Sequence, residues 1–76
     1  MELDHDSPVP LYVQLANLLR GRIERGELKG RIPATKDLAV QYEVAQGTAE
    51  RSLAILREEG LIISAVGRGH FVAKRD

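Results

Sequence analysis

Cysteine and tryptophan are absent from this 76-residue chain, and its aromatic side chains are only Tyr12, Tyr42 and Phe71. Without thiols neither a disulfide framework nor a thiolate zinc site can form, which fits a cytoplasmic protein. No apolar run approaches the roughly 20 residues needed to cross a bilayer. The start, MELDHDSP, is acidic where a signal peptide is basic, so a soluble, unexported protein with no membrane partner is expected. A glycine-rich phosphate loop, a Ser or Cys nucleophile with a partnered His, and a metal-ligand cluster are all missing. No enzyme is expected from this chain, and no catalytic, cofactor-binding or metal site; Asp37, Glu43 and Glu50 stand as ordinary helix charges.

An excess of one charge sign is lacking too. Eleven basic side chains balance eleven acidic ones, and the isoelectric point is about 6.7, whereas a dedicated nucleic-acid binder usually lies above about 9. The distribution is uneven, however. Glu2, Asp4 and Asp6 lie in an acidic leader, while Arg68, Lys74 and Arg75 crowd the other end.

What is present is organised around residues 38–60, LAVQYEVAQGTAERSLAILREEG. The pattern predicts two helices joined by a tight corner at Tyr42, Glu43 and Val44, the second running over about 45–59 and stopping at Gly60. In it Ala49, Leu53 and Leu56 recur at i, i+4 and i+7 as one apolar stripe. Gly47, Glu50, Arg51, Ala54 and Glu58 are left to the outer face. A short helix followed at a sharp angle by such a helix reads as a helix-turn-helix, which presents the region of Gln46, Thr48 and Glu50 to a DNA major groove.

Upstream, residues 1–7 have the polarity of a disordered leader. Pro8 and Pro10 fix an extended entry, and Leu11, Leu15, Leu18, Leu19 and Ile23 mark a first amphipathic helix to about residue 25, stopped by Gly26. A short edge strand is expected at Arg31 and Ile32, because Pro33 cannot continue a ladder. A second helix is expected from Ala34 or Thr35 to Tyr42, with Asp37 in its favourable first turn. Beyond Gly60 the period changes: a strand from residue 61, a turn at Gly67-Arg68-Gly69 and a partner strand to residue 73 form a hairpin placed as a wing. The expected fold is therefore mainly α with a small antiparallel β wing, a winged helix-turn-helix of three helices plus a hairpin. It would fill residues 8–74 as one domain, with 75–76 as a tail. Tyr12, Tyr42 and Phe71 are expected in the core or at its edge.

These residues resemble the N-terminal DNA-binding domain of the GntR family of bacterial transcription regulators. The marks are Pro10-Leu11-Tyr12 with Gln14-Leu15, Ile23 with Gly26-Glu27-Leu28, Arg31-Ile32-Pro33 and Asp37-Leu38-Ala39. They continue through Val44, Thr48, Leu53, Leu56 and Glu59-Gly60-Leu61-Ile62 to Gly67-Arg68-Gly69 with Phe71-Val72. The resemblance implies a repressor that dimerises on a pseudo-palindromic operator in double-stranded DNA, with no effector site within this chain. Carried over by position, it assigns DNA contacts to Lys36 on the second helix. At the start of the recognition helix it assigns Ala45, Gln46, Gly47, Thr48 and Glu50, with Arg51 beside them, and at the wing Arg68, Gly69 and His70.

Five positions depart from the family's usual pattern. Lys36 replaces an Arg, Gln46 and Glu50 replace two more, and Ala45 stands where a capping Ser is common. Ala34 likewise replaces a frequent capping Ser, leaving Thr35 as the substitute cap. Fewer arginines and an added carboxylate point to an operator different from the common type, since Gln pairs with adenine and Glu accepts from the cytosine amino group. Each residue also has a plain reading: Lys36 as an exposed lysine, Thr48 bonded to its own helix, Arg51 paired with an acid such as Glu58, and Gly67 and Gly69 serving any hairpin. The alternative function is a winged-helix protein-interaction module with little DNA affinity.

Overall fold

The computed structural model describes residues 3–73. The helical spacing of leucines after Pro10 folds as α1 (Leu11–Glu24), with Leu15, Ala16, Leu19 and Ile23 buried. The strand β1 (Arg31–Ile32) follows, then α2 (Thr35–Tyr42), α3 (Gln46–Glu58), β2 (Ile62–Ala65) and β3 (Gly69–Val72). The three strands form one sheet in the order β1-β3-β2, both pairings antiparallel, with Arg31 opposite Phe71 and Ile63 opposite Phe71 from the other side. Strand alternation then sends Ile32 and Ile62 inward, where both are about 1% exposed.

The core is a single cluster in which the apolar stripes of all three helices meet the inner face of the sheet. Leu15 and Leu19 of α1, Leu38 and Tyr42 of α2, and Ala49, Leu53 and Leu56 of α3 are all within it. Burying one leucine of this kind contributes roughly 1.5–3 kcal/mol. The expected stripe on the second helix of the pair, Ala49, Leu53 and Leu56, is the buried edge of α3. Tyr42 is 3% exposed, while Tyr12 and Phe71 are half-buried at the margin of the core.

All three helices close by the same pair of crossed backbone bonds. Gly26 N–H reaches the Ile23 carbonyl and Glu27 N–H the Arg22 carbonyl; Glu43 and Val44 bond Val40 and Ala39; Gly60 and Leu61 bond Arg57 and Leu56. This closure needs a residue with positive φ at its centre. Gly26 and Gly60 supply it without strain, at φ +76° and +79°, but in the corner between α2 and α3 the position is held by Glu43 at φ +57°.

Two expectations are corrected. The leader is anchored at Leu3, which is 6% exposed and belongs to the core cluster, while Asp4, His5 and Asp6 stay exposed. The Gln14 side chain holds the segment by accepting from the Asp4 N–H at 2.8 Å and donating to the Asp4 and Val9 carbonyls at 2.9 and 2.8 Å. A polar composition hid one apolar anchor and one amide clamp. Met1 and Glu2, Lys74, and the expected tail of Arg75 and Asp76 lie outside the described residues. Second, Thr35 does not cap α2; Ala34 occupies that position, and no side chain caps any of the three helices at its start.

Candidate nucleic-acid interface

The turn from α2 into α3 sets the site. The left-handed residue Glu43 ends α2 and reverses the chain, and Ala45, extended at φ −65° and ψ 149°, opens α3. Because Ala49, Ser52, Leu53 and Leu56 are buried, helical periodicity turns the other side of α3 outward. Ala45, Gln46, Gly47, Glu50 and Arg51 are exposed, and Thr48 is half-buried. The expected recognition surface is therefore an open one, facing away from the core.

Two contacts made with Tyr12 lock α3 against α1. The Ser52 hydroxyl, fully buried, donates to the Tyr12 carbonyl at 2.7 Å and also lies 3.0 Å from the Thr48 carbonyl of its own helix. The Arg51 guanidinium sits 4.1 Å from the centre of the Tyr12 ring, a cation–π stack. Arg51 is thus held on an aromatic face, where the sequence suggested an acid such as Glu58. Further along, Arg20 of α1 grips Glu59 at the end of α3 by two hydrogen bonds of 2.8 and 2.6 Å. The Arg20 hydrogen bond, with its charge, holds the Glu59 carboxyl below the usual carboxylate range. None of these couplings leaves a pattern in a single sequence, since each joins positions about forty residues apart.

The wing is tied to the same helix. Arg57 Nη1 of α3 donates to Ser64 Oγ at 3.1 Å, and Ser64 Oγ lies 2.8 Å from His70 Nδ1 on the neighbouring strand. At the tip, Gly67 and Gly69 have φ +76° and +100°, a conformation that frees the turn for glycine alone and leaves Val66 and Arg68 as its projecting side chains. Both are exposed.

Charge is divided in a way that the neutral total conceals. Arg20 and Arg25 are paired with Glu59 and Glu27, Arg51 is stacked, and Arg57 is bonded to Ser64. Among the described residues Arg31, Lys36 and Arg68 have no hydrogen bond, ion pair or ring contact from their side chains. Lys36 stands exposed in the first turn of α2. No helix among the described residues is long and apolar enough to cross a membrane.

The family model described as bacterial regulatory proteins, gntR family, matches residues 11–72. The chain belongs to the GntR family. Among curated relatives it is 34% identical to the HTH-type transcriptional repressor NagR of Bacillus subtilis over 97% of this chain and 31% of that protein. It is 27% identical to the transcriptional regulator YhcF of the same organism over 99% of the chain and 64% of that protein. The chain thus spans under a third of NagR. Among solved structures, the GntR-family transcription factor YtrA from Sulfolobus acidocaldarius superposes with a TM-score of 0.88 at 28% identity, covering 100% of this chain and 66% of that one. AraR(DBD) in complex with operator ORE1 gives 0.81 at 30% identity, covering 93% of this chain and 89% of that one. The winged helix-turn-helix expected of this GntR chain is the fold observed.

Proposed function

We propose that this domain binds a pseudo-palindromic operator in double-stranded DNA as a homodimer and acts in the cytoplasm as a repressor. The exposed side of α3 lies in the major groove, where Gln46 pairs with adenine and Glu50 accepts from a cytosine amino group. Ala45 and Gly47 let the backbone approach, Thr48 and Lys36 meet phosphates, and Arg51 stays on Tyr12 at the edge of the contact. The wing grips backbone or minor groove through Arg68, Gly69 and His70.

One observation carries this reading. A helix buried along one side presents Gln46, Gly47 and Glu50 unobstructed on the other, and the wing bonded to that helix ends in an arginine with no partner among the described residues. The repressor NagR and the AraR(DBD) operator complexes, at 34% and 30% identity, support it by likeness. Neutral total charge makes each protomer a modest binder, which favours two protomers on two half-sites.

The test is base preference. The wild-type domain and the variants Gln46→Ala and Glu50→Ala are titrated against a panel of duplexes substituted at each position of the operator. Each variant is expected to lose discrimination at one position per half-site by about 5- to 150-fold, the equivalent of roughly 1–3 kcal/mol. Unchanged preference at every position removes the assignment. Absence of binding even at low salt supports a protein-interaction role for the fold.

A further inference from the structure

The wing carries a second guanidinium that its own sequence does not contain. Arg31 of β1 pairs with Phe71 of β3, so its side chain emerges on the same face of the sheet as Phe71 and, two residues back along that strand, Gly69. Arg31 Nε and Nη2 lie 3.7 Å from the point where a β-carbon on Gly69 would stand. Gly69 has φ +100°, which keeps that position a glycine and leaves its α-carbon bare. The planar guanidinium therefore rests against the base of the tip, next in the chain to Arg68.

Like Arg68, it differs in its surroundings from the arginines that are already engaged. Arg20 and Arg25 each hold a carboxylate, Arg57 a hydroxyl and Arg51 an aromatic ring. Arg31 is exposed and its donors have no acceptor among the described residues. A fork of parallel N–H donors, carried on a strand and open to solvent, matches two oxygens of a phosphate. It lies at the root of the wing, whereas Arg68 projects from the tip.

We propose that Arg31 is a DNA-backbone contact, clamping one phosphate per protomer beside the groove entered by Arg68. This rests on the reading that the wing meets DNA. A phosphate contact positions without specifying, so its removal should weaken all sequences alike and reduce salt dependence.

The probe is the duplex that the wild-type domain enriches from a randomised pool, with a scrambled duplex beside it. Anisotropy titrations over a range of salt compare wild type with Arg31→Ala, Arg31→Gln and Arg31→Lys, and thermal melts establish that each variant is folded. For Arg31→Ala and Arg31→Gln the slope of log K against log salt should be shallower by about 0.9 per protomer, so that a fourfold rise in salt costs about 3.5-fold less affinity per bound protomer, or about 12-fold less for a dimer, than in wild type. Both duplexes should lose affinity by the same factor. Arg31→Lys should keep the wild-type slope. A slope unchanged in Arg31→Ala, or a loss confined to one base position, overturns the assignment of Arg31. Failure of the wild-type domain to enrich any duplex overturns the DNA reading itself.

Discussion

Glu43 sits in a conformation that favours glycine, at φ +57°. For an L-residue with a β-carbon this costs about 1–2 kcal/mol, and the hydrogen bonds that close α2 hold it there. Replacing it by glycine relieves that strain but adds unfolded-state freedom worth roughly 0.5–1 kcal/mol. The strain is the larger quantity, so Glu43→Gly is expected to stabilise the domain by about 0.5–1 kcal/mol, read as a rise in the urea midpoint at constant slope. At this scale the sequence was legible wherever a residue's fate depends on near neighbours. Ala49, Leu53 and Leu56 announce their burial by spacing alone. Ser52 shares that spacing, three residues after Ala49 and four before Leu56, but its hydroxyl marked it as polar, and its partner, the Tyr12 carbonyl, is forty residues away. Leu3 was hidden because one leucine among acids gives no pattern; its place is set by the core it enters and by the Gln14 bonds to the next residue.

The three helices are finished at their ends and unfinished at their beginnings. Pro10, Ala34 and Ala45 occupy the starting positions and none offers a side-chain acceptor, so the first N–H groups are left to solvent or to a ligand. Ala45 already has the extended backbone that a capping residue needs. Ala45→Ser should therefore raise stability by about 1 kcal/mol, visible as an increase of several degrees in the melting temperature. Element boundaries fell within a residue or two of the expected ones, since Pro10, Pro33, Gly26 and Gly60 punctuate the chain. The edge strand β1 was expected from the proline that ends it. The place of its Arg31 against Gly69 was not, because register across a sheet is settled only when the strands meet.

Taken whole, the molecule spends much of its positive charge on itself. The bidentate contact between Arg20 and Glu59 joins the first helix to the end of the third, and it gives a pH signature. The carboxyl of Glu59 is held lower in the folded state than in the unfolded chain. Its contribution is therefore fully present above the unfolded carboxylate range and disappears as pH falls through the lower folded value. Melting temperatures followed from pH 7 to about pH 3 should fall more steeply for wild type than for Glu59→Gln. A parallel pair of curves would show that the contact contributes nothing. The winged-helix plan was legible from the change of period after Gly60. Which basic groups remain available was not, since that depends on how each arginine is paired in space.

The double hold on Tyr12, through its carbonyl and through its ring, couples α3 to α1. Rolling or sliding the reading helix pulls on the first helix as well. Such a body resembles a key cut from one blank: when it meets an imperfect site, the misfit must be absorbed by bending the duplex or by lifting the entire protomer away. Discrimination against near-matches would then show itself mainly as faster departure, with the rate of arrival little altered.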